Sequence, residues 1–166
     1  MKKILVLILA AAALLSANSC CNCGDEYGYV IKDGVAVYNT PARPADQVSM
    51  IGFAAEPIET VRVGFIGLGD RGDGAVNRYT YLDGVEIVAL CDIEEERVKD
   101  MNKLLAERGK PAADEYFGST EAWKELCQRD DIDLVYIVTD WLNHTPMAVY
   151  AMEQGKHVAI EVPAAT

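Results

Sequence analysis

The chain reads as an α/β protein built on a doubly wound parallel sheet, with strand order 3-2-1-4-5. Three observations predict this. Apolar strands alternate with helix-compatible stretches from Val61 onward. The first strand, Val61–Ile66, runs into Gly67-x-Gly69-x-x-Gly72. Asp92 then closes the next apolar strand, twenty positions after Gly72. A strand, a glycine turn, a helix and a spaced acid together form the layout of a Rossmann-type dinucleotide site. A glycine triplet alone would be weak; its flanking strand and acid make it specific.

The elements follow in order. The glycine turn leads into a helix from about Arg71 to Tyr81, ended by the turn at Asp83-Gly84. Strand two, Glu86–Cys91, is almost wholly apolar, as a strand covered on both faces should be. In the next helix Val98, Met101, Leu104 and Leu105 share one face, and Gly109 and Pro111 close it. A short strand is expected near Glu115–Phe117. Ser119 or Thr120 should cap a helix that buries Trp123, Leu126 and Cys127. Strand four is Leu134–Val138. Thr145-Pro146 reads as a cap with proline at the first helical position, and Gly155 ends that helix. Strand five is His157–Glu161.

The remaining residues fall outside this alternation. Residues 1 to about 20 read as a targeting segment, with Lys2 and Lys3 ahead of the apolar run Ile4–Leu15. That run is shorter than the roughly 20 residues needed to span a bilayer. Cys20 after Ala17-Asn18-Ser19 suits lipoprotein processing, so the chain is expected to be exported, to the periplasm or as an outer-membrane lipoprotein. Its membrane contact would then be a lipid anchor at Cys20. Residues 21–60, rich in glycine and proline with no sustained period, read as a linker or N-terminal arm, leaving 61–166 as the dinucleotide-binding domain.

Composition excludes some partners. With 26 acidic against 15 basic residues and a net charge of −11, nucleic-acid binding has no basic face to use. Cys20, Cys21 and Cys23 lack C-x-x-C spacing and a nearby histidine, so no metal site is expected. Cys91 and Cys127 read as core thiols, with a disulfide between them left open by an oxidising compartment.

Every unusual polar motif lands at the C-terminal end of a strand, where ligands bind in such sheets. Gly67 permits the tight turn, Gly69 admits the phosphates and Gly72 lets the helix pack close. The helix N-terminus offers N–H groups and partial positive charge to an anion. Asp92 should accept from the adenosine ribose hydroxyls, or else only cap the helix that follows. Its carboxylate repels a 2′-phosphate and Ile93-Glu94-Glu95-Glu96 supplies no arginine, so the cofactor is expected to be NAD. Arg71 either lies along the phosphates or pairs with an acid such as Asp73. Asp70 is tolerable beside a diphosphate if only its N–H faces the ligand. Trp141 and His144, three apart after strand four, are placed to flank the nicotinamide or its ribose; the alternative is a Trp that seals the domain edge and a His that caps the helix.

From about Ile51 to Thr166, about 70% of its length, the chain resembles the N-terminal domain of the Gfo/Idh/MocA group of nucleotide-dependent sugar oxidoreductases. Val61–Gly72, Trp141-x-x-His144-x-x-Met147 and Gly155-Lys156-His157…Glu161-Val162-Pro163-Ala164-Ala165 are similar to glycoside hydrolase family 109, the NAD-dependent α-N-acetylgalactosaminidases. Dehydrogenases of the group carry a catalytic lysine in Glu-Lys-Pro; this chain has Glu161-Val162-Pro163. The resemblance implies that NAD oxidises the sugar transiently at C3, the aglycone is eliminated, water adds and the sugar is reduced again. It places cofactor contacts on Asp70, Arg71, Asp92, Trp141, Leu142, Asn143, His144, Glu161 and Val162, and a carbohydrate in the substrate site. It names no catalytic residue within the chain. It also implies a substrate domain after Thr166, through which any oligomer would form, so the chain is expected to be truncated before it.

Overall fold

A computed structural model describes residues 29–38 and 45–164. The leader, Cys20, Cys21 and Cys23 lie outside the described residues, and no described helix is long and apolar enough to cross a membrane. The chain divides into two compact units, Met1–Ala54 and Ala55–Thr166.

Within the stretch read as a linker or N-terminal arm, the first unit carries a hairpin. Strand β1 (Tyr29–Lys32) and strand β2 (Val35–Tyr38) form an antiparallel hairpin. Asp33 and Gly34 turn it with φ of 52° and 81°, the positive pair that a two-residue hairpin turn requires. Tyr29 pairs with Tyr38, their rings 5.3 Å apart. Four-residue strands are too short to show a period, but Asp-Gly between Val, Ile and Tyr was a legible hairpin signal.

The second unit carries strand β3 (Val61–Ile66), helix α1 (Asp70–Tyr79), strand β4 (Val85–Cys91), helix α2 (Glu95–Glu107), strand β5 (Asp114–Tyr116), helix α3 (Ala122–Cys127), strand β6 (Leu134–Ile137), helix α4 (Trp141–Glu153) and strand β7 (His157–Ile160). Its sheet is parallel, in the order β5-β4-β3-β6-β7. This is the expected 3-2-1-4-5 arrangement. Ile66 stands opposite Cys91 on one side and Ile137 on the other, and Ile137 opposite Ile160. The four strands therefore end level, and the loops after them share one edge.

Successive residues of a strand face opposite sides, so the sheet feeds two cores. Phe65, Leu90, Val76, Val98 and Leu105 fill one face. Ile66, Cys91, Leu126, Val135, Ile137 and Ala151 fill the other. Trp123 is half-buried rather than enclosed, packing edge-on against Tyr150 with centroids 5.1 Å apart. Cys91 and Cys127 are free and buried, which decides for core thiols. Burial pushes their pKa values up to about 12 and about 11.

The start of α4 differs from expectation. Thr145-Pro146 does not open it; Asp140 does. The Asp140 carboxylate accepts from the Leu142 and Asn143 N–H groups at 3.0 and 3.3 Å, so the helix begins at Trp141 and Pro146 lies inside it. Thr145 instead donates its hydroxyl to the Ala164 carbonyl at 2.5 Å. An Asp cap competes well with a Thr cap. The proline leaves one rung of the helix without a donor.

Arg62 on β3 fastens the opposite edge of the sheet. Its guanidinium makes a two-point contact with Asp133, Nε and Nη2 at 2.9 and 2.7 Å, and its backbone N–H donates to the same carboxylate at 2.9 Å. The Arg62 side chain, by hydrogen bonding above all, holds the Asp133 carboxyl below the usual aspartate range. A depressed native pKa contributes stability above the unfolded value of about 3.9 and loses it as pH falls through the native value. Asp133→Asn is therefore expected to lower the melting temperature most near neutrality, the gap to wild type closing below about pH 4. A gap of constant size from neutral to acid pH would contradict this.

Candidate functional site

Two cavities flank the glycine turn at the level strand ends. The larger, about 580 Å³, is lined among others by Gly67, Gly69, Asp92, Arg97, Asp140 and Asn143. The smaller, about 360 Å³, is lined by Gly69, Asp70, Arg71, Arg97, Val138, Thr139, Trp141, His144, Glu161 and Val162. Gly69, Arg97, Val138 and Thr139 border both. All the sequence-predicted site residues line one or both cavities except Leu142, which is 78% exposed, and Gly72, which acts from beneath.

The glycines of the turn hold it closed. Gly67 adopts φ +91°, and a Cβ there would lie 2.5 Å from the Val138 carbonyl oxygen. A Cβ on Gly72 would lie 2.0 Å from the Gly67 carbonyl oxygen. Gly69 differs: its added Cβ would meet only the mobile tip of Arg97, at 3.0 Å. Gly69 is also the cap residue of α1, and no side chain bonds to that helix end. The first-turn N–H groups are thus left for a ligand, whereas α4 spends its own on Asp140. A glycine cradle with unused donors fits a diphosphate.

Asp92, only 8% exposed, accepts from the Leu68 N–H at 2.7 Å and the Glu94 N–H at 3.0 Å. It closes a local turn just ahead of α2, whose own cap residue Glu94 has no side-chain cap bond, and it ties the glycine turn to β4. Two accepted bonds leave carboxylate lone pairs for ribose hydroxyls. One sequence expectation needs correction: an arginine does stand near. Arg97, the third residue of α2, reaches back over Gly69 and pairs with Glu94 at 3.1 Å. It was missed because helix periodicity, not adjacency, brings it to the turn.

Arg71 pairs with Glu161 at 3.3 Å rather than with Asp73. Glu161 also accepts from the Tyr136 hydroxyl at 2.9 Å. These two bonds, Tyr136 first, hold the Glu161 carboxyl below its ordinary range. Burial, then the Glu161 bond, raises the Tyr136 hydroxyl. Asn143 donates its side-chain amide to Asp140 at 2.6 Å, the leading cause of that carboxyl's lowered pKa.

His144 is 1% exposed. Its Nδ1 faces the Pro163 carbonyl at 2.8 Å and its Nε2 the Thr139 carbonyl at 3.1 Å. Whichever nitrogen carries the proton, it has a backbone acceptor. The ring therefore binds the start of α4 to the segment after β7 instead of capping the helix. Trp141 and Val162, 62% and 81% exposed, line the smaller cavity beside it.

Residues 61–166 match the GFO_IDH_MocA family, described as an oxidoreductase family with an NAD-binding Rossmann fold. The chain belongs to this family. Its parallel sheet and glycine turn are an NAD-binding Rossmann domain. Glycosyl hydrolase family 109 protein 1 of Bacteroides thetaiotaomicron is 53% identical over 165 residues, 99% of this chain and 34% of that protein. An alpha-N-acetylgalactosaminidase of Bacteroides fragilis is 56% identical over 119 residues, 72% of this chain and 28% of that one. The chain thus spans about a third of the length of the curated relatives it matches. Among solved structures, myo-inositol dehydrogenase from Lactobacillus casei, in complex with NAD(H) and myo-inositol, aligns with a TM-score of 0.55 and 30% identity. That alignment covers 64% of this chain and 29% of that one.

Proposed function

We propose that the chain supplies the NAD-binding part of a glycosidase acting on a carbohydrate such as an α-N-acetylgalactosaminide. NAD would lie across the two cavities, its adenosine in the larger, its diphosphate over Gly69 and its nicotinamide in the smaller. Bound there, it supplies a hydride acceptor that returns the hydride within the same turnover. The chain's residues orient it: Asp92 by the ribose, the first turn of α1 by the phosphates, Trp141 by the ring. Glu161 is aimed by Tyr136 and Arg71.

Val162 carries the choice of hydrolase. It lies in the smaller cavity beside Glu161, and an apolar side chain can neither give nor take a proton there. A sugar oxidoreductase is the second reading, favoured by the likeness to an inositol dehydrogenase. Product analysis on a protein carrying the full relatives' length separates them. The hydrolase reading expects free sugar released from an aryl α-N-acetylgalactosaminide without accumulating NADH. Stoichiometric NADH, with no aglycone released, would overturn it.

The leader and Cys20 support export with a lipid anchor. Mass spectrometry of the mature N-terminus tests it: a diacylated Cys20 is expected, and an intact Met1 would refute it.

A further inference from the structure

We propose that Arg97 leaves Glu94 on cofactor binding and clamps the diphosphate from the adenosine side, opposite Arg71. The assignment rests on the placement of NAD proposed above. Arg97 belongs to none of the motifs that announce the site, yet it borders both cavities, together with Gly69, Val138 and Thr139. A dinucleotide spanning them must cross at Gly69, and the Arg97 guanidinium already lies against that glycine.

The electrostatics require such a group. Asp70 and Asp73 sit in the first turn of α1, and Asp92, Glu94 and Glu161 line the cavities. A diphosphate entering this acidic edge needs cations beyond the helix end. Two arginines flank the turn, and each is held in place by a glutamate: Arg71 by Glu161, Arg97 by Glu94. Both pairs are partly open to water, the Arg97 and Glu94 side chains being 44% and 57% exposed. An exposed pair separates at small cost, whereas a guanidinium–phosphate contact can be two-pronged and charge-assisted. The exchange leaves the Glu94 backbone N–H on Asp92 undisturbed.

Calorimetric titration of the 166-residue chain with NAD, ADP, adenosine and adenosine 2′-monophosphate tests the assignment, after ligand-free melting confirms each variant folded. Arg97→Gln is expected to weaken ADP about tenfold while adenosine changes by less than about twofold. Arg97→Lys, which keeps the charge but not the fork, should weaken ADP by a smaller factor. ADP binding to Arg97→Gln as tight as to wild type would overturn the clamp. So would a loss confined to adenosine 2′-monophosphate, which would place Arg97 at the ribose. If wild type bound neither ADP nor NAD, the cofactor placement itself would fall, and the clamp with it.

Discussion

Gly72→Ala is expected to abolish NAD binding and to cost about 3 kcal/mol of stability. The added methyl would stand 2.0 Å from the Gly67 carbonyl oxygen and 2.8 Å from its carbon, far inside contact distance. The Gly67 side cannot give way. Its N–H is bonded to the Cys91 carbonyl at 2.8 Å, and it already lies close against the Val138 carbonyl. Relief must come from lifting α1, which would unpack Ala75 and Val76, both fully buried, and draw the first-turn N–H groups away from the diphosphate. Gly74 is the control. A Cβ there meets only the Arg78 guanidinium at 3.2 Å, so Gly74→Ala should be neutral or gain up to about 1 kcal/mol of helix propensity. Urea unfolding and NAD titration of both variants check this; equal behaviour of the two would refute the packing account.

His144→Ala is expected to cost about 2–4 kcal/mol and to weaken NAD binding. The fully buried ring fills space next to the sheet edge and joins two segments that nothing in the chain order brings together. Removing it leaves a cavity and takes away the one ring N–H that either the Thr139 or the Pro163 carbonyl accepts from. Residues 161–164 then retain the Thr145–Ala164 bond and the Glu161 contacts, but lose their central tie. The melting temperature should fall, and the segment carrying Val162 should be less firmly seated at the smaller cavity. An unchanged melting temperature would show the ring to be dispensable.

The sheet was legible because β4 and β6 are almost wholly apolar and the elements are punctuated by Gly67, Gly84, Gly109 and Gly155. Those signals are local, and they placed every parallel strand to within a residue or two. The site was half legible. Gly67, Gly69, Gly72 and Asp92 announce themselves by spacing after a strand. Arg97 and the Arg71–Glu161 pair depend on helix phase and on 90 residues of intervening chain, which no local pattern encodes. His144 was singled out for its position, but its partners are backbone carbonyls, invisible to any residue pattern. Thr145-Pro146 is a sound helix start taken by itself, but Asp140, shortly after the end of β6, takes the role instead. In the hairpin at Tyr29–Tyr38 only the Asp33-Gly34 turn carries a local signal, because strands of four residues show no period.

The account rests on a dinucleotide lying over Gly69 with its adenosine ribose at Asp92. A crystal structure of the chain grown with saturating NAD tests that most directly. The expected result is a diphosphate within hydrogen-bonding distance of the first N–H groups of α1, and ribose hydroxyls on the Asp92 carboxylate. NAD bound elsewhere, or both cavities empty in such crystals, would contradict it.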